Sequence, residues 1–200
     1  MRSSIVRVIP ALLVAASLFA VPFAYSVQRK KQTHNFRVVE EGKLYRSGQL
    51  SKAGLERVVH DYGIKTVVSF RDAEEGKSPV PPDLWEEAFC ATKGINHLRL
   101  PLRHWSFNEK GVVPADENVK KFLALLADPK NQPVLAHCFR GVHRTGMYCA
   151  IYRMDHQAWS NDDAIREIQE LGYDKFQNEA DVRGYLERYV PSGKKAAGSK

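Results

Sequence analysis

The sequence predicts an α/β domain with a central, mostly parallel sheet flanked by helices. Short apolar runs with strand character alternate with stretches of helical periodicity, the pattern of parallel strands joined by crossover helices. Several of the helical stretches end at a glycine: Gly63, Gly94 and Gly172. A chain of 200 residues with 44% hydrophobic content is enough for one domain with a real core.

Phe36–Val39 and Leu44–Ser47 read as short strands around Glu41-Gly42. Ser51 then opens a helix that places Leu55, Val58, Val59 and Tyr62 on one face before Gly63. Lys65–Phe70 is a strand through Val67, Val68 and Phe70. Asp83, with Glu86 three residues on, has the spacing of a helix cap, and that helix runs to Gly94. Ile95–Leu100 is the next strand, and Pro114 starts a helix using Val119, Phe122, Leu123 and Leu126. A strand over residues 133–137 precedes a helix rich in buried types, Met147 to Met154. Two helices close the chain. Ser160 and Asp163 cap the first, which carries Ile165, Ile168 and Leu171, and the second spans Glu179 to Tyr189. In a parallel sheet, ligands bind beyond the carboxyl ends of the strands. The loops after Phe70, Leu100 and His137 are therefore expected to open on one side.

The two ends differ from the middle. Residues 1–37 carry Arg2, Arg7, Arg29, Lys30, Lys31 and Arg37 with no acid, and the tail adds Lys194, Lys195 and Lys200. These account for more than the whole net charge of +7, so the part between is slightly acidic. A nucleic-acid partner is not expected, because no basic face remains. From Val8 to Val27 no residue is charged, a run of 20, about the length needed to span a bilayer as a helix. Arg2 and Arg7 precede it, and Ala24-Tyr25-Ser26 resembles a cleavage site. The length of the run and the Arg29-Lys30-Lys31 that follow favour an uncleaved membrane anchor over a removed signal peptide. With positive charge on both flanks, the side of the membrane is not set. The expected layout is an anchor or signal and linker over 1–33, a domain over 34–191, and a basic tail over 192–200.

The chemistry concentrates in ten residues, His137-Cys138-Phe139-Arg140-Gly141-Val142-His143-Arg144-Thr145-Gly146. A strand, a tight loop and a helix start make an anion site, since the first N–H groups of a helix lack partners and carry the positive end of its dipole. A cysteine beneath such donors is held as thiolate, the form that attacks. A lone cysteine is more often a buried core residue. That simpler reading leaves the midway Gly141, the Thr145-Gly146 continuation and the preceding strand unexplained. Cys90 and Cys149, by contrast, fall inside helices and read as core, Cys90 on a face with Trp85 and Phe89. Three cysteines make no disulfide framework.

At these residues the chain resembles the cysteine-based protein tyrosine phosphatases, whose signature is His-Cys, five residues, Arg, then Ser or Thr. It is most similar to the atypical dual-specificity branch found in bacteria, plants and fungi. Phe36-Arg37-Val38-Val39, Leu44-Tyr45-Arg46-Ser47-Gly48-Gln49, Asn131-Gln132-Pro133 and Gly172-Tyr173 also fit that branch. The resemblance implies a dual-specificity phosphatase fold and hydrolysis of phosphoric monoesters through a phosphocysteine. Cys138 would attack phosphorus and Arg144 would grip two phosphate oxygens. Thr145 would hydrogen-bond the sulfur as it leaves. Phe139, Arg140, Gly141, Val142 and His143 would form the phosphate-binding loop, with His137 ordering it from behind. No cofactor or metal is implied.

The implied substrate is a phosphorylated protein or a small phosphomonoester, with inositol phosphates or phosphoinositides as the alternative. Arg140 suits several phosphates, but Val142 stands where the inositol-specific relatives commonly have lysine. A rhodanese-like sulfurtransferase and a non-catalytic phosphate-binding module are the readings from other classes. The chain departs from the pattern in one respect: the loop Pro101–Glu109 lacks the aspartate that relatives use as general acid. Asp72, His104, Glu109, Asp116 and His143 all stay open for that role.

Overall fold

A computed structural model of the chain describes residues 18–20, 22, 33–73 and 80–193. The predicted anchor over Val8–Val27 falls outside the described residues except at four positions, as does the tail from Lys194 onward. Among the described residues no helix is long and apolar enough to cross a membrane.

The strands are β1 (Arg37–Glu40), β2 (Leu44–Ser47), β3 (Thr66–Ser69), β4 (Asn96–Arg99) and β5 (Val134–His137). They form one sheet in the order β1-β2-β5-β3-β4. Only the β1–β2 hairpin is antiparallel; β5 lies parallel between β2 and β3, with Leu44 and Thr66 both opposite Val134. The expected mostly parallel sheet is therefore present, and the loops after β3, β4 and β5 do leave from one edge.

The helices are α1 (Lys52–Tyr62), α2 (Leu84–Lys93), α3 (Ala115–Ala127), α4 (His143–His156), α5 (Asn161–Glu170) and α6 (Ala180–Arg188). Their ends follow local chemistry. The Ser51 hydroxyl accepts the Gly54 N–H at 3.1 Å, and Ser160 accepts that of Asp163. Gly63 and Gly94 end α1 and α2 with φ of 61° and 68°, a region that favours glycine.

Two apolar layers cover the sheet. Alternation along the strands sends Tyr45, Val67 and Leu135 toward α1 and α2, while Leu44, Val68 and Ala136 face α3 to α6. All four residues of β5 are buried, as suits a strand covered on both faces. The second layer is aromatic at its centre. Phe70 stacks on Tyr148 at 4.1 Å, and Phe122 meets both rings edge-on at 5.7 and 5.3 Å. That stack fixes α4 against the end of β3.

Two sequence expectations are corrected. Asp83 occupies the position before α2 but makes no capping bond there. Its carboxylate is drawn instead into a buried ion pair described below. Trp85 is not in the core with Phe89 and Cys90: it is 36% exposed, in a surface groove that Leu50 and Phe89 also line.

Phe122 is wholly buried at the aromatic centre. Phe122→Ala should destabilise the protein by about 3–5 kcal/mol. Urea unfolding with an unchanged slope and a lowered midpoint is the expected result, and a midpoint within error of wild type would contradict this packing.

Candidate active site

The site grows from the carboxyl end of β5. Cys138 follows the strand directly, the chain turns through residues 139–142, and α4 begins at His143. Gly141 has φ of 72° and lies tight against β2: a Cβ there would run into the Ser47 carbonyl and the Gly48 nitrogen.

Three carbonyls of the loop are held from behind. The Gln49 N–H donates to Phe139 O at 2.9 Å, the Asn35 side-chain amide to Arg140 O at 2.8 Å, and Arg46 Nη2 to Gly141 O at 2.8 Å. In a trans peptide the C=O and the next N–H point opposite ways. Tying those oxygens to the scaffold thus turns the N–H groups of 140, 141 and 142 the other way. The Gly141 N–H accordingly meets Cys138 Sγ at 3.2 Å.

Above the sulfur is a cavity of about 450 Å³ lined by Arg71, Cys138, Phe139, Arg140, His143 and Arg144. Arg144 Nη1 donates to Phe70 O at 2.8 Å, so the end of β3 aims this guanidinium. A second cavity of about 290 Å³ adjoins it, sharing His143 and Arg144 and adding Arg103 and His104 among others. Of the loop residues singled out in the sequence, Cys138, Phe139, Arg140, His143 and Arg144 meet at the cavity. Gly141 shapes the turn, and Val142 is buried behind it. The Thr145 hydroxyl is fully buried and makes no hydrogen bond among the described residues in this resting site.

His137 faces away from the cavity, as alternation along β5 requires. Its Nε2 lies 2.7 Å from Glu86 Oε1, and both side chains are almost wholly buried. The same carboxylate meets His97 Nε2 at 3.1 Å and accepts from Gln49 Nε2 at 3.2 Å. Burial alone would raise the Glu86 pKa, but the two imidazoles, His137 foremost, bring it down to about 2. Beside it Asp83 accepts from Ser69 Oγ at 2.5 Å and from Arg99 Nη1 at 2.7 Å. Asp83, Glu86 and His137 bring ligand atoms within 4.8 Å of one another, the one such grouping among the described residues. Ser69, Arg99, His97 and Gln49 already engage these carboxylates, which makes the cluster an ion-pair network rather than a metal cradle.

Geometry also sorts the five open acid candidates. Asp72 Oδ2 lies 3.9 Å from Arg144 Nη1 and accepts the Leu102 N–H at 3.2 Å. His104 and His143 line the adjoining cavity with Arg144. His143 stacks on Tyr173 at 4.4 Å, and burial lowers its pKa. Asp116 accepts from the Tyr185 hydroxyl at 2.7 Å, and Glu109 is exposed on a turn. The other two thiols are chemically quiet: burial pushes Cys90 up to about 12 and Cys149 up to about 11.

Sequence reasoning missed Arg46, Gln49, Arg71 and Glu86. Arg46 and Gln49 lay in a quoted family segment without a role, and Glu86 was read only as half of a cap. Arg71 carried no local signal.

The family model described as DSP-PTPase phosphatase fused to NAD+ kinase matches residues 16–184. The dual specificity protein phosphatase TpbA of Pseudomonas aeruginosa is 27% identical over 143 residues, covering 72% of this chain and 57% of that protein. The chain thus spans little more than half the length of that relative. A crystal structure of P. aeruginosa TpbA in complex with phosphotyrosine superposes with a TM-score of 0.60 at 25% identity, covering 82% and 90% of the two chains. The Siw14 catalytic core has the same fold, with a TM-score of 0.62 at 23% identity over 82% and 90%.

A carboxyl depressed to about 2 from 4.5 contributes stability that is complete above pH 4.5 and is lost as pH falls through 2. Glu86→Gln should therefore cost about 3 kcal/mol at pH 7. The gap to wild type should close between pH 5 and 2, followed by urea unfolding at each pH. A gap independent of pH would remove the ion pair from the account.

Proposed function

The chain belongs to the DSP-PTPase family, an atypical dual-specificity branch of the cysteine-based tyrosine phosphatases, and on that premise we propose that it hydrolyses phosphoric monoesters through a phosphocysteine. The observation that carries the reading is the Gly141 N–H aimed at Cys138 Sγ, on the floor of a cavity that Arg144 also lines. Cys138 attacks phosphorus as the leaving oxygen departs with a proton, and water then cleaves the S–P bond to release phosphate. The inward N–H groups of the loop and the start of α4 hold the equatorial oxygens. Arg144 takes two of them in its fork, where charge builds in the transition state. Thr145, whose buried hydroxyl makes no hydrogen bond among the described residues, would donate to the sulfur as it leaves.

Phosphorylated protein, phosphotyrosine above all, is the first substrate class. It is supported by the likeness to TpbA, whose complex holds phosphotyrosine. Inositol phosphates are the second reading, supported by the three guanidiniums of Arg71, Arg140 and Arg144 on one cavity lining. The sulfurtransferase and binding-module readings find no support in the family match.

The run Val8–Val27 completes the proposal as a membrane anchor, supported by its 20 uncharged residues. The full chain should sediment with membranes and resist high-salt extraction, whereas a chain beginning at residue 34 should stay in the supernatant; equal partitioning of the two would refute the anchor.

Cys138→Ser should lower the rate on an aryl phosphate by at least about a thousandfold while phosphate still binds. Turnover at the parental rate would end this mechanism.

A further inference from the structure

We infer that His143 is the general acid, the side chain that protonates the leaving oxygen while Cys138 attacks phosphorus. The inference rests on the phosphatase reading and deepens it at the one step for which the loop Pro101–Glu109 supplies no aspartate.

An oxygen that leaves phosphorus as a bare phenoxide or alkoxide needs a proton, and the donor must reach the bond that breaks. Sulfur attacks in line from the floor of the cavity, so that bond points outward and its donor stands on the wall. Of the described residues on this lining, three are arginines, which keep their protons, and Phe139 has none to give. Cys138 is the nucleophile itself. His143 is what remains, and an imidazole exchanges its proton near neutral pH. The other candidates stand elsewhere. His104 lines only the adjoining cavity, and Asp72, Glu109 and Asp116 line neither.

The ring is also held in place. It stacks on Tyr173 with the planes 20° apart, and the Tyr173 hydroxyl donates to Glu179 at 2.6 Å. Nε2 is buried, makes no hydrogen bond among the described residues and lies 4.0 Å from Asp174 Oδ1. The two nitrogens therefore take different roles. Nε2 lies toward the carboxylate that steadies the imidazolium, and Nδ1 carries the proton that moves.

Charge around the ring decides when that proton is loaded. Burial lowers the His143 pKa, and Arg140 and Lys175 add to this, while Glu179 and Asp174 oppose it. Arg71 and Arg144 share the main cavity with it, and Arg103, His104 and Asp181 share the adjoining one. A phosphate dianion entering among these groups favours the imidazolium, so the acid is charged as substrate binds. In the first step the S–P bond forms, the P–O bond breaks and Nδ1 passes its proton to the leaving oxygen. In the second, neutral Nδ1 takes a proton from the water that attacks phosphorus. The S–P bond then breaks, restoring thiolate and imidazolium.

Leaving groups of different basicity test this. The para-nitrophenolate ion leaves without a proton, phenolate needs one, and kcat/KM covers the steps only as far as their release. His143→Asn should lower kcat/KM on phenyl phosphate by about a hundredfold and widen the ratio of the two substrates by at least about tenfold. The alkaline limb of the wild-type profile on phenyl phosphate should vanish with it. That limb marks loss of the imidazolium, and the lowered pKa sets it below the ordinary histidine range. His143→Gln should reproduce both effects, which guards against a folding defect in the first variant. If His143 only shaped the loop, both substrates would fall by one factor and the limb would remain, which overturns the inference. Selective loss in His104→Asn or Asp72→Asn instead overturns it as well. Hydrolysis of para-nitrophenyl phosphate by the wild type, and its loss in Cys138→Ser, report separately on the phosphatase reading, so the two failures are distinguishable.

Discussion

A carboxylate with 1% of its surface exposed braces the loop that carries Cys138, and the loop can hold its shape only while that charge is compensated. Glu86 comes from α2, yet its partners come from three other segments: His137 at the end of β5, His97 on β4 and Gln49 after β2. An unpaired carboxylate at this depth would cost several kcal/mol, so the four segments are bound to close on one another. Asp83, one turn earlier, repeats the device with Ser69 and Arg99 and secures β3 and β4. The carboxyl edge of the sheet is thus stitched by ion pairs on the face away from the cavity. Cys138, on the opposite side, inherits that rigidity.

Above this floor the loop is shaped by its carbonyls rather than by its side chains. Gln49, Asn35 and Arg46 each take one oxygen, which leaves the nitrogens turned inward. Arg46 adds a buried positive charge behind the turn, only 3% exposed. Gly141 is required twice over, by its positive φ and by its contact with β2. The same ten residues in another fold, without a strand carrying Arg46 and Gln49 beside them, would have no reason to present their amides to the sulfur.

The three cysteines show how position governs reactivity on one chain. Cys90 and Cys149 are enclosed in helices within the two apolar layers, where burial favours the neutral thiol. Cys138 is also largely buried, at 5% exposure, but its sulfur meets an N–H donor and opens on a cavity lined by arginines. The three differ in what their sulfurs face rather than in how far they are exposed.

The sequence by itself determined the alternation of strands and helices, the helix ends at Ser51, Gly63, Gly94 and Ser160, and the ten-residue motif with Cys138 and Arg144. Each of these is written in neighbours a few positions apart, through periodicity, capping and turn chemistry. Tertiary structure alone decided the partners of the site. His137 meets Glu86 across 51 positions and Arg46 meets Gly141 across 95, because β5 inserts between β2 and β3. It also turned Asp83 from a helix cap into a buried ion partner and brought Arg71 into the cavity. Such contacts follow from strand order and from the need to compensate buried charge, and neither leaves a periodic trace in the local sequence.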